Sequence, residues 1–261
     1  MAKVEKRSNL HIWGDVIFAL FLREVKDKSK DKLGVAWEVV SPVVFVFMLS
    51  FLRGRMDGGE THGIETFWFM VYGIVLVKFF LGIVGKVSNG IKKNKPLYAF
   101  RQVQPISSII AIAAFELIIT LLVVLVIGVA AYYMGFKIAI DNPIQVILNI
   151  ARVWLLATSL ATLFALAGCY VPEIHRIREL AMRPMFFISG IFFSLQDFPR
   201  EVWPYLNWNP LLHAVELTRY AAYAPYGHEG VSYLYLDMSI LVLTFAALTL
   251  YQVSWKQAIS R

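Results

Sequence analysis

Apolar residues gather into six long stretches along this chain, separated by short polar or aromatic segments. A helix that spans a bilayer needs about 20 mostly apolar residues, because the hydrocarbon core is about 30 Å thick and a helix rises about 1.5 Å per residue. Val35–Leu52 carries Glu38 and Pro42 near its start, and Phe67–Val84 carries Lys78. Ile109–Phe136 holds Glu116, and Ile144–Val171 has Gln145, Asn149 and Arg152 in its first half. Leu180–Leu195 is the shortest stretch, with Arg183 and Pro184 early, and Tyr233–Trp255 has Asp237 as its charge. The pattern predicts six transmembrane helices.

Ahead of them, Leu10–Leu22 is too short to cross. Basic residues flank it on both sides, and no small-residue cleavage site follows, so it does not read as a signal peptide. Wound as a helix, it puts Ile12, Trp13, Val16, Ile17 and Leu20 on one stripe, with Asp15 and Arg23 turned away. That predicts an amphipathic helix lying in the interface plane. The expected organisation is a cytoplasmic segment 1–34 carrying this helix, then a single six-helix domain over 35–261. The fold class is an all-α membrane protein.

Composition agrees with the pattern. The 261 residues are 58% hydrophobic and only 16% charged. A soluble domain of this size could not bury that excess. Charge sets the orientation. With both ends inside, eighteen of the 25 Lys and Arg residues fall on the cytoplasmic side and five fall outside. Lys78 and Arg152 are embedded. This is the positive-inside bias. The same reasoning places 197–232 outside, since it carries Asp197, Glu201, Glu216 and Glu229 against Arg200 and Arg219. Its aromatics Trp203, Tyr205, Trp208 and Tyr220 suit the outer interface, and Pro204 and Pro210 predict one or two short helices dipping back toward the membrane.

Catalytic chemistry finds no foothold. Gly85-Lys86-Val87-Ser88 lacks the first glycine of a phosphate loop, because position 80 is Phe80. Ser189-Gly190 lacks the glycine two residues earlier that a nucleophile elbow needs. The histidines are scattered and Cys169 is the single cysteine, so no metal cluster is expected. Embedded charges default to function. Counted by depth, Glu116 and Arg152 both approach mid-membrane, which predicts an ion pair between the third and fourth spans. Lys78 reads as a side chain snorkelling to the inner interface.

Several short motifs occur in order: Leu97-Tyr98-Ala99-Phe100-Arg101, Gln104-Pro105-Ile106, Val171-Pro172-Glu173-Ile174, Phe187-Ile188-Ser189-Gly190, and Asn209-Pro210-Leu211 followed by Glu216-Leu217 and Arg219. This series resembles the membrane subunits of ABC exporters for bacterial surface polysaccharides, and among them the KpsM-type capsular polysaccharide export permeases. It covers nearly the whole chain.

The resemblance implies a homodimer in the bacterial inner membrane, with two copies of a separate ATPase that binds ATP and Mg. This chain itself would carry no cofactor. It implies a lipid-linked acidic polysaccharide as cargo, a periplasmic adaptor, an outer-membrane exit protein and no nucleic acid. O-antigen or teichoic-acid-type polymers are the alternative cargo, and a membrane-embedded enzyme is the alternative class. By the resemblance, Pro172, Glu173, Arg176 and Arg178 form the helix that docks into the ATPase. The first and fifth helices line the path, with Trp37, Phe45 and Phe51 on one and Phe186, Phe187, Phe192 and Phe193 on the other. Aromatic faces stack on sugar rings without demanding one charge pattern. Ser41, Ser50, Ser189 and Ser194 would add hydroxyls. The basic loop with Lys92, Lys93, Lys95 and Arg101, beside Arg23, is expected to receive an anionic head group. Orientation bias alone would also place basic residues there.

Overall fold

A computed structural model of the chain describes residues 8–29, 34–56, 58–138 and 140–260. The sequence-counted basic residues Lys3, Lys6, Arg7, Lys30, Lys32 and Arg261 lie outside the described residues. The helices are α1 (Asn9–Ser29), α2 (Gly34–Met56), α3 (Thr66–Ser88), α4 (Gly90–Lys93), α5 (Pro105–Tyr133), α6 (Pro143–Tyr170), α7 (Ile174–Ile188), α8 (Pro210–Ala222) and α9 (Tyr233–Ser260). A two-stranded antiparallel hairpin, β1 (Glu60–Thr61) and β2 (Ile64–Glu65), joins α2 to α3.

Local chemistry sets the ends. Pro105, Pro143 and Pro210 open α5, α6 and α8, where a missing N–H costs nothing. Asn142 and Asn209 cap α6 and α8, their side-chain oxygens accepting from Gln145 N at 3.1 Å and Leu211 N at 3.0 Å.

Among the described residues, five helices are long and apolar enough to cross a membrane: α2, α3, α5, α6 and α9. α3 is the centre of the bundle, with Phe69, Met70, Ile74 and Ile83 fully buried. It packs against α2, α5, α6 and α8, while α6 packs chiefly on α3 and α9. α1 lies along α5: Trp13 Nε1 donates to Ser107 Oγ at 3.0 Å, and Leu20 is buried on the predicted stripe.

The expected fifth span, Leu180–Leu195, is not one continuous helix. α7 has 15 residues, about 22 Å of helix. It ends at Ile188, and Gly190 takes the left-handed conformation with φ 77°. A Cβ at that position would also stand 2.7 Å from Leu212 Cδ1, so glycine is required twice over. The chain then folds back through Leu195 toward α8, which is buried along almost its entire length.

Candidate translocation path and docking surface

Two of the motifs, Phe187-Ile188-Ser189-Gly190 and the run Asn209–Arg219, meet in space. Ser189 Oγ donates to Met185 O at 2.6 Å and accepts from Asn209 Nδ2 at 2.9 Å. Ser189 is therefore buried and occupied, and does not face a path as the sequence reading expected. Arg219, on α8, is fully buried. It donates to Glu216 Oε1 at 2.8 Å, to Phe69 O at 3.1 Å, and to Ile191 O and Phe193 O at 3.3 Å each. Its guanidinium also stands 3.4 Å over the Phe69 ring. Irregular backbone survives at membrane depth only where its carbonyls are satisfied by protein. Arg219 does that for the break after α7.

On the other side of the same carboxylate, Glu216 Oε2 accepts from the Tyr226 hydroxyl at 2.8 Å and from Ser194 Oγ at 3.0 Å. Burial holds the Tyr226 phenol well above its ordinary pKa, so it remains a donor. Ser194 is thus also committed to this cluster, and Ser50 is buried within α2. Close by, His213 donates from Nε2 to Asn207 O at 2.7 Å and accepts at Nδ1 from Ser232 N at 3.0 Å. Burial lowers the His213 pKa, which fits the neutral ring that this pattern needs.

The aromatics expected on α2 and α7 do come together. Phe45 and Phe186 have ring centroids 6.0 Å apart, and Phe186 contacts Phe187 and Phe192 at 5.3 Å and 5.8 Å. Phe193 turns away to pack on Phe198. Trp37 and Phe51 are 66% and 61% exposed on α2, away from this cluster. The Arg53 guanidinium donates to Phe192 O and so ties the end of α2 to the same segment.

The structure does not pair Glu116 with Arg152. Glu116 Oε1 accepts from Lys86 Nζ at 2.6 Å, and Lys86 also donates to Glu38 Oε2 at 2.5 Å. Glu38 in turn accepts from Lys28. A chain of alternating charge therefore runs Lys28–Glu38–Lys86–Glu116 across α1, α2, α3 and α5. Arg152 instead meets Asp237 on α9 at 2.7 Å and Asn149 at 3.0 Å. The physical reason is packing: α5 presents Glu116 to α3, and α6 presents Arg152 to α9. Depth counting placed the two residues on one level but said nothing of direction.

At the turn between α6 and α7, Pro172, Glu173 and Arg176 are exposed. Arg178 is not. It is 4% exposed and donates to Gly85 O at 3.2 Å, so it braces α7 on α3 and is no free docking residue. In the basic loop, Lys92, Lys95 and Arg101 are exposed. Lys93 is neutralised by Glu24 of α1 at 2.7 Å, and Arg23 faces Asp27 at 3.9 Å. The loop lacks an acid in sequence, but α1 brings acids to it.

Residues 15–223 match the protein family described as ABC-2 type transporter. The chain belongs to that family. It is 32% identical over 247 residues to the polysialic acid transport protein KpsM of Escherichia coli, covering 94% of this chain and 96% of that protein. It is 22% identical over 233 residues to the capsule polysaccharide export inner-membrane protein CtrC of Neisseria meningitidis serogroup B, covering 86% and 84%. This ABC-2 chain is a membrane-embedded transport subunit. The matched span runs from the middle of α1 to the end of α8. Tyr226 lies beyond it and escaped the sequence reading; Asp237 beyond it, and Lys86 and Glu38 within it, were noted along the chain but not as partners of Arg152 and Glu116. A lysine at a helix end reads as an orientation signal until its partners on other helices are seen.

Proposed function

We infer that this chain is the membrane subunit of an ATP-driven exporter that moves a lipid-linked, acidic capsular polysaccharide out of the cytoplasm. Near full-length similarity to a polysialic acid transport protein carries the reading. Two copies of the chain and two copies of a separate ATPase make up the exporter in the inner membrane, with both termini cytoplasmic. A periplasmic adaptor and an outer-membrane exit protein complete the route, as the resemblance implied. ATP and Mg are held by the partner.

α7 and the folded-back segment 189–197 together make the fifth of six crossings, half helix and half loop. The satisfied carbonyls of Ile191 and Phe193 support that assignment. The path runs beside the Phe45–Phe186–Phe187–Phe192 cluster, which offers ring faces to passing sugars. The exposed turn with Pro172, Glu173 and Arg176 docks on the ATPase. Lys92, Lys95 and Arg101 form the basic surface that first meets the anionic substrate.

Deleting the coding sequence from its own genome tests the function. Capsular polymer should then accumulate inside the cell, while the lipopolysaccharide ladder stays unchanged. Normal surface polymer in the deletion strain overturns the reading. Loss of the O-antigen ladder with capsule intact transfers the function to the alternative cargo.

A further inference from the structure

A cavity of about 1020 Å³ lies where the end of α1, the start of α2 and the facing sides of α3 and α5 converge. That is at the top of the range of ligand sites, about 300–1,000 Å³. Its walls are polar and aromatic together: Trp37, Ser41, Lys78, Phe79, Lys86 and Glu116 all reach it.

The charged side chains on these walls balance in number, Lys28, Lys78 and Lys86 against Asp27, Glu38 and Glu116, but not in pairing. Lys28, Glu38, Lys86 and Glu116 form the alternating chain described above and sum to zero. Asp27 faces Arg23 and Lys93, each at 3.9 Å, outside that chain. Lys78 meets no carboxylate among the described residues. Its Nζ stands 3.8 Å from the centroid of the Phe45 ring, the same ring that touches Phe186. Lys78 is therefore the one lining lysine that no carboxylate among the described residues holds.

The sequence reading expected Lys78 to snorkel to the inner interface; its Nζ instead lies against the Phe45 ring at the wall of the cavity. Lys78 lies ten residues from the Ser88 end of α3, about 15 Å along the helix axis. A charge at such depth faces water, a counter-ion or a ligand. Lys78, Gly82 and Lys86 also follow one face of α3 at four-residue steps. Gly82 keeps the wall between the two lysines open. A Cβ there would come within 3.0 Å of Glu116 Oε2, so a larger residue would crowd the carboxylate that holds Lys86.

We propose that this cavity binds the anionic head of an amphiphile, a phosphate or carboxylate, with Lys78 as the neutralising group and Trp37 as a ring face for the sugar next to it. The proposal rests on the export reading only for the identity of the natural ligand. It also connects two features of the molecule: the head group would arrive beside the ion chain and leave beside the aromatic cluster, with Phe45 touching both.

Full-length protein in phosphatidylcholine nanodiscs, titrated with dodecyl phosphate against protein-free nanodiscs, tests this. The parent should bind saturably. Lys78→Gln should weaken binding at least about tenfold, the size expected for losing one charge-assisted contact. Lys78→Arg keeps the charge and should stay within about threefold. Ser41→Phe fills the cavity without changing charge and should weaken binding as well, which guards against a folding defect in a single variant. Inorganic phosphate at the same concentration should not displace the probe. Absence of saturable binding, undiminished binding by Lys78→Gln, or displacement by inorganic phosphate alone overturns the proposal. No ATPase or polymer takes part, so this result can fail while the deletion strain still retains polymer inside, and the converse holds too.

Discussion

Two polar clusters hold this bundle together, and they are built differently. The Glu216–Arg219 cluster is fully buried, and it ties segment 189–197 and Tyr226 to α3 through α8. The Lys28–Glu38–Lys86–Glu116 chain borders an open cavity, and its members are partly exposed except Glu116. In the first, Arg219 holds the Ile191 and Phe193 carbonyls, which no helix satisfies, and anchors them to the Glu216 carboxylate and to Phe69 O on α3. In the second, every helix keeps its own backbone bonds, and the side chains alone bridge α1, α2, α3 and α5. A buried ion that loses its partner costs several kcal/mol, whereas exposed pairs contribute about 0–1 kcal/mol. The first cluster is thus a fixed scaffold, and the second is a contact that can open and re-form at modest cost.

The largest effect belongs to the scaffold. Arg219→Met leaves the buried Glu216 carboxylate without its counter-charge and the Ile191 and Phe193 carbonyls without their donor, and should cost about 3–5 kcal/mol. The variant should fail to accumulate in membranes. A normal thermal transition in detergent would break the comparison at its root. Gly73→Leu should act through the same cluster, because even a Cβ there would stand 2.9 Å from Arg219 Nη2 and 3.0 Å from Ile191 Cα. Its thermal transition should fall as well.

Glu116→Gln should do less. Lys86 keeps Glu38, so the loss should be about 1–2 kcal/mol, near that of one charged hydrogen bond. Combining it with Lys86→Gln should lose less than the two singles summed. Combining it with Arg152→Gln should be additive, because those residues never meet. Coupling to Arg152 and none to Lys86 would reverse the assignment.

The docking surface sharpens the contrast in function. Arg176→Glu, on an exposed residue, should leave the melting temperature unchanged and reduce ATPase co-purification at least about tenfold, by reversing a charge at the contact. Arg178→Glu should lower the melting temperature first, since Arg178 braces α7 on α3.

The smallest effect is a pH dependence. His213 has a lowered pKa in the folded state, so its contribution is present above the unfolded value near 6.5. As pH falls below that value, the unfolded chain takes up a proton that the folded ring resists, and stability declines. Thermal scans from pH 7 down to pH 5 should show a fall in the parent that is reduced in His213→Gln.

The difference between the clusters also explains what could be read before the structure. Five spans and the α1 stripe were legible because burial in lipid demands long apolar runs, and a helix repeats its faces at a fixed period. The break in the fifth stretch was not anticipated: its sequence signal is Gly190, whereas Pro184 sits inside α7. The stabilisation of the break by Arg219 was not legible either, because a carbonyl leaves no trace in a sequence. The Phe-Ile-Ser-Gly and Asn-Pro-Leu…Glu-Leu-x-Arg runs were recognisable as motifs, but their contact through Ser189 and Asn209 depends on the fold. Glu116 was correctly singled out as an embedded acid and wrongly partnered, since depth along a helix is countable and rotation about it is not.

Paired cysteines test the central claim, that the side of the bundle bordering the cavity and the aromatic cluster opens to pass polymer while the Glu216–Arg219 scaffold stays fixed. In a Cys169→Ala background, Phe45→Cys with Phe186→Cys would lock α2 to α7 beside the path. His62→Cys with Asp197→Cys would lock the hairpin to segment 189–197, where the parent side chains are 2.6 Å apart. Oxidation of the first pair should stop capsule export and reduction should restore it, while oxidation of the second should leave export unchanged. Full export with the first pair completely crosslinked would contradict the account.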